Sequence, residues 1–411
     1  MRIGMFTDIY YPYLSGVVTS VDSLRKTLEK EGHEVYIITS NLENQKYIYD
    51  KNEKIIRIPG IPTPIPGTKL VYPYSIRTTR TIKKWKLDVI HSHTEFGIGT
   101  YARIIAKQLN IPIVHTYHTT YEDCVYFVTK GYFDSLSKKI VEYLTKFYCD
   151  KTVQELIVPT AKVREKFLKK YHVDRNIHIV PNIIEIDKYY KESVSKNVLN
   201  GYKKEFGIKD TDFGIMYLGR VSEEKNIVFL VNAMPKLIKY NSNIKLIICG
   251  SGNALENLKK LVHKKKLEDN VVFTGLYPFE ESPYYYQLGQ VFVMASKAET
   301  QGITVIEALS SSKPVVCIED DSYDTVINGY NGFLFKNEKE YIQYVQELFE
   351  DRKKLAKMSE NARESVKKYS PSVFANNILN VYKIAIEKNK TSFLSKLKKL
   401  FRRKHLWEKA E

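Results

Sequence analysis

Short runs of β-branched and aliphatic residues alternate along the chain with longer amphipathic stretches. The stretch Val21–Glu31 has helical periodicity and ends at Gly32, a natural helix stop. The apolar runs of the first half are Arg2–Met5, Val35–Thr39, Val89–His93, Ile113–Tyr117, His178–Val180 and, interrupted by two polar residues, Val153–Val158. This alternation predicts βαβ units and therefore a parallel, doubly wound sheet.

The same rhythm restarts after a polar, Lys-rich stretch at about residues 187–210, which we interpret as a linker and one helix. The second set of runs is Phe213–Leu218, Lys245–Cys249, Val271–Thr274, Val291–Ala295 and Val315–Ile318. The pattern predicts an α/β protein of two doubly wound halves, with ligands bound in a cleft at the carboxyl ends of the strands. We expect domains at residues 1–190 and 191–370, a helix at 371–390 that returns to the first domain, and a tail at 391–411.

Length and cysteine usage agree with this organisation. A chain of 411 residues is too long for one ordinary core, so two domains are expected. The four cysteines stand far apart in the sequence, which is typical of reduced thiols in the cytosol. The N-terminus lacks the pattern of a secretory signal, and no apolar window is long enough to span a bilayer. We therefore expect a cytoplasmic protein, either soluble or on a membrane surface.

The net charge of +17 is the one unusual bulk property. Nucleic acid, an anionic membrane surface or an acidic small substrate would each suit it, and so would an ordinary Lys-rich, solvated surface. The sequence contains no recognisable helix-turn-helix, zinc-finger or RRM pattern, so we do not expect a nucleic-acid partner.

The segment Glu299-Thr-Gln-Gly-Ile-Thr-Val-Ile-Glu307 follows an apolar run and leads into an apolar helix. Gly302 lies where a strand-to-helix turn presents backbone N–H groups to an anion, with Ile303 and Thr304 beginning the helix. Glu299 precedes the turn, whereas Glu307 falls in the first helical turns, where a carboxylate also stabilises the helix dipole. Two acids around such a turn indicate a site for a polar, phosphate-bearing ligand.

The segment Leu218-Gly-Arg-Val-Ser-Glu-Glu-Lys-Asn226 ends the first run of the second half. Gly219 permits close backbone approach, and Arg220 and Lys225 would neutralise a diphosphate there. A solvated basic turn is the simpler alternative for either cation alone. Gly250, in Gly250-Ser-Gly252, marks a further turn at a strand end.

The motifs of the first half indicate a ligand site less strongly than those of the second half. Gly16 stands just ahead of the first helix, where it would let the helix N-terminus approach a phosphate, although a turn glycine is nearly as good an interpretation. Three pairs of histidines are His91 with His93, His115 with His118, and His172 with His178. Since no Asp or Cys stands at complementary spacing, we expect no metal site. His118 suits hydrogen bonding better, because it follows a buried run and precedes a polar loop.

These motifs, in this order, resemble the family-4 glycosyltransferases of the GT-B fold, and the resemblance extends to about residue 390. It rests on a Pro-x-x-Gly-Gly-like loop, a His after the fourth strand, a Gly-Arg…Lys loop, and two glutamates at Glu299 and Glu307. The first glycine of the Gly-Gly pair is replaced by Ser15. The resemblance implies two Rossmann-like domains facing each other across a cleft and a nucleotide-sugar donor, with no metal or cofactor required.

By this resemblance, Glu307 binds the ribose hydroxyls, Glu299 binds a donor-sugar hydroxyl, and Arg220 and Lys225 hold the diphosphate. His118 contacts the sugar near its 6-hydroxyl, so the expected catalytic set is His118, Glu299, Arg220 and Lys225. The other expected donor-binding residues are Gly16, Gly250, Gly302, Ile303 and Thr304. The family retains the anomeric configuration without an obvious protein nucleophile, and the leaving diphosphate is thought to assist same-face attack.

The segments 115–123 and 298–304, with Asp320-Asp321, look like those of the bacterial diacylglycerol glucosyltransferases. This implies a hexose transferred from UDP-glucose, or UDP-galactose, to 1,2-diacylglycerol by an enzyme peripheral on the inner face of the cell membrane. A cell-wall, capsule or other lipid-linked glycan acceptor is the alternative, and a basic nucleic-acid-binding protein is a distant one. The sugar, the acceptor, the number of sugars added and the oligomeric state stay open.

Two basic regions suit a membrane surface. The tail 391–411 carries seven basic and two acidic residues around an apolar face formed by Phe393, Leu394, Leu397, Leu400 and Phe401. Residues 130–175 have a net charge of +5 and contain an apolar stripe at Phe133, Leu136, Ile140, Leu144 and Phe147. A core-facing helix is the simpler interpretation of that stripe.

Overall fold

The computed structural model describes residues 1–13, 15–43, 46–62, 69–71, 74–95, 97–118, 134–297 and 299–407. The chain divides into two compact units. The first comprises Met1–Ile183 and Pro371–Glu411, and the second comprises Ile184–Ser370. The boundary after Ile183 lies earlier than the predicted one at residue 190. The reason is that a short 3-10 helix, Ile186–Tyr189, packs on the helix of the second unit that begins at Ile303.

The first unit is built on an eight-stranded sheet of order β10-β9-β8-β7-β1-β2-β4-β3. Only β3 pairs antiparallel, with β4, and the other pairings are parallel. A separate antiparallel pair is formed by β5 and β6. The strands are β1 (Arg2–Thr7), β2 (Glu34–Ser40), β3 (Ile48–Asp50), β4 (Ile55–Ile58), β5 (Gly60–Pro62), β6 (Lys69–Val71), β7 (Val89–Ser92), β8 (Ile113–Thr116), β9 (Glu155–Val158) and β10 (Ile177–Ile179).

Helices cover both faces of this sheet, which explains why β1 buries every side chain except Arg2. They are α1 (Gly16–Lys30), α2 (Ile76–Trp85), α3 (Gly97–Leu109), α4 (Asp134–Lys146) and α5 (Ala161–Lys169). Helix α1 begins earlier than its apolar pattern indicates, because the hydroxyl of Ser15 caps it by accepting the N–H of Val18 at 3.3 Å.

The second unit contains a six-stranded, fully parallel sheet of order β13-β12-β11-β14-β15-β16. Its strands are β11 (Phe213–Leu218), β12 (Ile244–Cys249), β13 (Val271–Gly275), β14 (Val291–Met294), β15 (Val315–Ile318) and β16 (Gly332–Phe335). Its helices are α6 (Lys196–Glu205), α7 (Ile227–Tyr240), α8 (Leu255–Lys264), α9 (Ser282–Tyr286), α10 (Ile303–Ser310), α11 (Glu338–Glu350) and α12 (Arg352–Ser365). Two strands that pair in parallel, β4 and β16, were not predicted from the apolar pattern. Each is four residues long.

The last helix, α13 (Pro371–Trp407), belongs to the first unit. Its Phe374, Ile378 and Tyr382 share a core with Val18 and Leu24 of α1. The backbone stays helical beyond residue 390, where the sequence predicts the start of a separate tail. The basic residues after 391 therefore continue a helix that is anchored at its start, while 408–411 lie outside the described residues.

The described part of the apolar stripe, in α4 and the turn that follows it, is not buried in the core, which differs from its simpler interpretation as a core-facing helix. Ile140 is 51% exposed and Phe147 is 44% exposed, and the adjacent Tyr143 is 69% exposed. Leu144 is half-buried, and of Phe133 and Leu136 the first lies outside the described residues and the second is described only in its backbone. The stripe is thus a partly exposed apolar surface.

Candidate active site

The carboxyl edge of the second sheet is shaped by two glycines in close contact. Gly219, after β11, and Gly250, after β12, adopt φ angles of 147° and 137°, which favour glycine. A Cβ atom on Gly250 would lie only 1.9 Å from the carbonyl oxygen of Gly219. The glycines therefore let two loops pack backbone against backbone, which brings Arg220 to the edge of the sheet.

Gly302 starts α10 in the left-handed region, with φ of 66°, and a Cβ atom there would lie 2.8 Å from the ring of Tyr323. Helix geometry leaves the N–H groups of the first turn without carbonyl partners one turn earlier. Ile303 and Thr304 supply two of these groups. The predicted strand-to-helix turn is therefore formed between β14 and α10.

A cavity of about 230 Å³ lies at this edge. It brings together six of the predicted residues: Arg220, Lys225, Glu299, Gly302, Ile303 and Thr304. Thr300, from the segment 298–304 that carried part of the resemblance, also lines it, as do Tyr217 and Met294, which sequence reasoning did not single out. Gly250 and Glu307 are not among its lining residues. Tyr217 is part of β11, and its hydroxyl donates to the carbonyl of Arg220 at 2.8 Å, so it fixes the loop that carries this cation.

Both cations of the cavity are paired with carboxylates. The ammonium of Lys225 lies 2.5 Å from Oε1 of Glu299, and both side chains are largely buried. The guanidinium of Arg220 donates to Glu224 at 2.7 Å, although its side chain is 60% exposed. The hydroxyl of Ser322, which directly follows the segment Asp320-Asp321 that carried part of the resemblance, donates to the backbone carbonyl of Glu299 at 2.6 Å.

Glu307 lies deeper, in the interior of the second unit. The hydroxyl of Tyr189 donates to its Oε1 at 2.8 Å, and that of Tyr286 donates to its Oε2 at 2.7 Å. Burial raises the pKa of Glu307 above its ordinary value, and the two tyrosine hydrogen bonds oppose this rise. Glu307 is therefore a buried, hydrogen-bonded carboxylate rather than an exposed one at the start of a helix.

In the first unit, the predicted histidine His118 stands just after β8. Its Nε2 lies 3.1 Å from Nδ1 of His93, which follows β7. Burial lowers the pKa of His118 to about 4 and that of His93 well below its ordinary range. His118 is therefore neutral at physiological pH. The rest of the motif, residues 119–123, lies outside the described residues.

The other histidines have structural partners. His91 lies 2.7 Å from both the hydroxyl of Tyr382 and that of Thr116, so it ties α13 to the sheet. His178 pairs with Glu155 at 2.7 Å, whereas His172 is an exposed residue with a φ of 49°.

Gly16 is the first residue of α1 and has open space around it, as a close approach to a ligand would need.

Asp8 is a buried residue of this edge that sequence reasoning missed. It directly follows β1, and its Oδ1 accepts the N–H of Ile98 at 2.7 Å. Burial raises the pKa of Asp8 to about 6. The sequence could have indicated this residue, because Asp8 is an acid directly after the first strand of a doubly wound sheet, and ligands bind at the carboxyl ends of such strands.

Comparison with known proteins identifies the family. Residues 14–188 match the family described as Glycosyltransferase Family 4, and residues 200–365 match Glycosyl transferases group 1. The chain is 35% identical to the Alpha-monoglucosyldiacylglycerol synthase of Acholeplasma laidlawii over 95% of its own length and 98% of that protein. The chain belongs to the family-4 glycosyltransferases of the GT-B fold. It is accordingly an enzyme, a hexosyltransferase.

Further similarities agree with this assignment. A protein of the same name from Streptococcus pneumoniae is 35% identical, with 77% of this chain and 70% of that protein covered. Among solved structures, Anabaena HepE in complex with UDP and glucose matches with a TM-score of 0.70 at 16% identity, covering 93% of this chain and 99% of that one. The sucrose-phosphate synthase of Thermosynechococcus elongatus matches with 0.70 at 18% identity, covering 94% and 99%. These structures establish the shared fold.

Membrane-spanning segments are not found among the helices that the structure describes: none combines the required length with the required apolar character.

Proposed function

We propose that the enzyme transfers glucose from UDP-glucose to 1,2-diacylglycerol at an anionic membrane surface, with retention of configuration. The observation that carries this proposal is the 35% identity, over nearly the full length of both chains, to a protein named as a monoglucosyldiacylglycerol synthase. The name of that relative describes a glucosyl group on diacylglycerol, and the cavity at the edge of the second sheet has the chemistry for a sugar diphosphate donor.

The donor diphosphate binds in the cavity after β11 and β14. Arg220 and Lys225 provide two positive charges there, and the N–H groups of Ile303 and Thr304 provide donors at a helix N-terminus. An ammonium has three donors, so Lys225 keeps its bond to Glu299 while it donates to a phosphate oxygen. Glu299 is thereby held in place and offers its second oxygen to a hydroxyl of the sugar.

Glu307 binds the ribose of the nucleotide in this proposal. Each of its carboxylate oxygens accepts one tyrosine hydroxyl. Because a carboxylate has about four lone-pair positions, each oxygen has a second one for a ribose hydroxyl. The ribose would bind at the side of the cavity nearest α10.

Negative charge develops on the diphosphate as the bond to the sugar breaks. The fixed charges of Arg220 and Lys225 stabilise that charge more strongly than they stabilise the bound donor, which lowers the barrier. The leaving phosphate then accepts the proton of the attacking acceptor hydroxyl on the same face of the sugar. Neutral His118 contacts the sugar at its 6-hydroxyl, and the donor chemistry needs no divalent metal.

A membrane acceptor requires that the enzyme bind the bilayer surface. The exposed Ile140, Tyr143 and Phe147 form an apolar patch beside Lys139 and Lys146. The tail 391–411 adds seven basic residues. Each basic residue near an anionic surface contributes about 1 kcal/mol, so several together give reversible docking.

The proposal is tested by incubating the protein with radiolabelled UDP-glucose or UDP-galactose and with vesicles of anionic phospholipid that contain diacylglycerol. We expect label from UDP-glucose in a single new glycolipid. Transfer from UDP-galactose alone would replace the proposed donor. Hydrolysis of the donor without lipid labelling would reject diacylglycerol and favour another lipid-linked acceptor.

The membrane component is tested by deleting residues 391–411. Flotation with anionic vesicles should then fall, because several kcal/mol of electrostatic attraction are removed. A matched control replaces Lys353, Lys357 and Lys367, which are exposed on the second unit, and should leave flotation unchanged. Full flotation of the deletion variant would mean that attachment depends on another surface, with the patch of Ile140 and Phe147 as the next one to test.

A further inference from the structure

Three side chains from distant parts of the chain meet in the interior of the first unit. Glu95 lies in the loop after β7, His115 is in β8, and Cys149 lies in the short helix that follows α4. One potential ligand atom from each, a carboxylate oxygen, an imidazole nitrogen and the thiol sulfur, lie within 4.8 Å of one another. All three residues are buried, and none has a role in the proposed transfer.

The hydrogen bonds of His115 leave one of its nitrogens facing an acceptor. Nδ1 lies 2.9 Å from the carbonyl oxygen of Ser92, which can only accept, so Nδ1 carries the proton. Nε2 of the neutral ring then has a lone pair, and it lies 3.0 Å from Oε1 of Glu95. Two electron-pair donors face each other at this distance only if a proton or a metal cation lies between them.

The other two side chains also present buried ligand atoms. Oε2 of Glu95 is buried and has no hydrogen-bond partner among the described residues. The thiol of Cys149 is buried and forms no disulfide. A buried carboxylate oxygen without a partner is energetically costly. A cation would satisfy both atoms together.

The backbone around Cys149 has an unusual geometry. Residues Phe147–Lys151 form a π-helical turn, a rare conformation that occurs frequently at functional sites. This turn is held by Arg103, whose guanidinium donates to the carbonyl of Tyr148 at 3.1 Å. The conformation directs the middle of the turn, and with it Cys149, into the interior.

We propose that Glu95, His115 and Cys149 bind one zinc ion in the first unit. Carboxylate, imidazole and thiolate are all ligands of Zn²⁺, which takes four, so water completes the set. The bond from Nδ1 of His115 to a backbone carbonyl is the outer contact that zinc-bound histidines commonly make. Binding of the ion releases the thiol proton of Cys149 and the proton between Glu95 and His115.

The ion would act on structure rather than on the donor. His115 is three residues before His118, and β7 and β8 are neighbours in the sheet. An ion that joins the ends of β7 and β8 to the turn after α4 would fix the strand end from which His118 extends. This makes the three residues positioning residues for the sugar-binding histidine, and to that extent the role rests on the proposed function.

The test measures metal binding alone. The full-length protein is stripped with a chelator, dialysed and titrated with Zn²⁺, and bound metal is counted by plasma mass spectrometry. Titration with Co²⁺ adds a spectroscopic signature, because a cobalt–thiolate bond gives a charge-transfer absorption. We expect one ion per chain, with the thiolate band, in wild type. Cys149→Ser should bind at least about 10- to 100-fold more weakly, since a lost ligand costs at least as much as a lost outer contact.

Matched controls are present in the same chain. Cys249 and Cys317 are buried, free cysteines of the second unit, and Cys249→Ser and Cys317→Ser should bind like wild type. Glu95→Gln keeps the size of the side chain and should also lose the ion. Circular dichroism shows whether each variant is folded, and wild-type stoichiometry decides the matter even if a variant is not.

A wild-type protein that takes up no zinc, or one whose cobalt complex lacks the thiolate band, would overturn the proposal and assign the Glu95–His115 contact to a shared proton. Equal binding by Cys149→Ser and wild type would also overturn it. No glycosyl donor or acceptor is present in these measurements. Their outcome is therefore separate from that of the transfer assay, and either proposal can fail while the other stands.

Discussion

The carboxyl edges of the two sheets hold their ionisable side chains in opposite ways. At the edge of the second sheet, Arg220 is mostly exposed, and Lys225 reaches a cavity in which it pairs with Glu299. At the edge of the first sheet, His93 is buried and His118 is half-buried, and their removal from water holds their pKa values low enough to keep them neutral. One edge offers charge, and the other offers neutral hydrogen-bonding groups.

Under the proposed function, this difference corresponds to the two chemical parts of a nucleotide sugar. A diphosphate is a polyanion, and its leaving step generates further negative charge, which accessible cations stabilise. A sugar is neutral, and a buried neutral imidazole binds its hydroxyls without the desolvation cost of a charge. The following variants test whether charge matters at one edge and burial at the other.

The largest effect is expected for Arg220→Ala. Turnover should fall by roughly 100- to 1,000-fold, the loss typical of removing one donor that stabilises transition-state charge. Stability should change little, because the pair with Glu224 is exposed and such pairs contribute little. Initial rates at saturating donor, together with thermal unfolding, measure the two quantities.

The matched control for that variant is Lys236→Ala. Lys236 also forms an exposed pair in the second unit, with Glu338 at 3.0 Å, but it lies outside the cavity. Its turnover should equal that of wild type. If Arg220→Ala keeps full turnover as well, the cavity does not hold the leaving diphosphate.

At the first edge, Asp8→Asn tests burial through the pH dependence of stability. The pKa of Asp8 rises from 3.8 to about 6 on folding. Between these values the unfolded chain releases the proton while the folded protein keeps it, so stability falls as pH rises. This change corresponds to roughly 3 kcal/mol, all of which is lost above pH 6. Asn has no such proton, so the variant should lack this part of the slope.

Urea unfolding from pH 3.5 to 7 measures the slope in the first unit. The chain has two tryptophans, so a Trp407→Phe background leaves the buried Trp85 of α2 as the reporter. Asp88→Asn, which changes an exposed carboxylate just before β7, is the control for the substitution itself. Parallel curves for Asp8→Asn and wild type would contradict the raised pKa.

Glu307→Gln tests the buried acid of the second unit and should have a smaller effect. UDP affinity should fall about 10-fold, because a neutral amide accepts ribose hydroxyls less strongly than a carboxylate. The pKa of Glu307 is raised by burial, so its charge destabilises the fold at neutral pH, and the variant should be more stable there. Calorimetric titration with UDP and thermal unfolding at pH 7 test both effects. Unchanged affinity would remove Glu307 from the ribose site.

The sequence predicts well those parts of the site that depend on neighbours along the chain. The turn at Gly302 and the loop from Gly219 to Lys225 are local signals, because a strand, a glycine and a helix start follow one another directly. The same is true of most strands, whose apolar runs are buried on both faces. Strands β4 and β16 were missed although they are as long as β7 and β8, because Arg57 interrupts the apolar run of β4 and β16 begins at Gly332, which is typical of a turn.

Contacts between distant residues could not be predicted in this way. Tyr189 and Glu307 are 118 residues apart, and only the folded unit brings that hydroxyl to the carboxylate. Glu95, His115 and Cys149 are likewise far apart in the sequence and are brought together only by folding. A search for regular ligand spacing along the sequence therefore predicts no metal site. The exposed face of α4 has an apolar pattern like that of a core helix. Its exposure depends on what packs against it, which periodicity does not encode.

The smallest effect is expected for Tyr189→Phe, which removes one of the two hydroxyls that hold Glu307. The variant leaves Oε1 without its 2.8 Å bond while Tyr286 still donates to Oε2. We expect a loss of about 1 kcal/mol in stability and a two- to fivefold weaker affinity for UDP. Tyr286→Phe is the matched variant.

Combining Tyr189→Phe with Glu307→Gln completes a double-mutant cycle that separates packing from hydrogen bonding. If the hydroxyl acts by orienting the carboxylate, the phenylalanine substitution should weaken UDP binding in wild type and have little further effect in the Glu307→Gln background. Additive losses in affinity would instead mean that Tyr189 acts independently of Glu307. In that case the buried acid of the second unit would resemble the structural histidine His91 of the first, and the contrast between the two edges would be confined to Arg220 and Lys225.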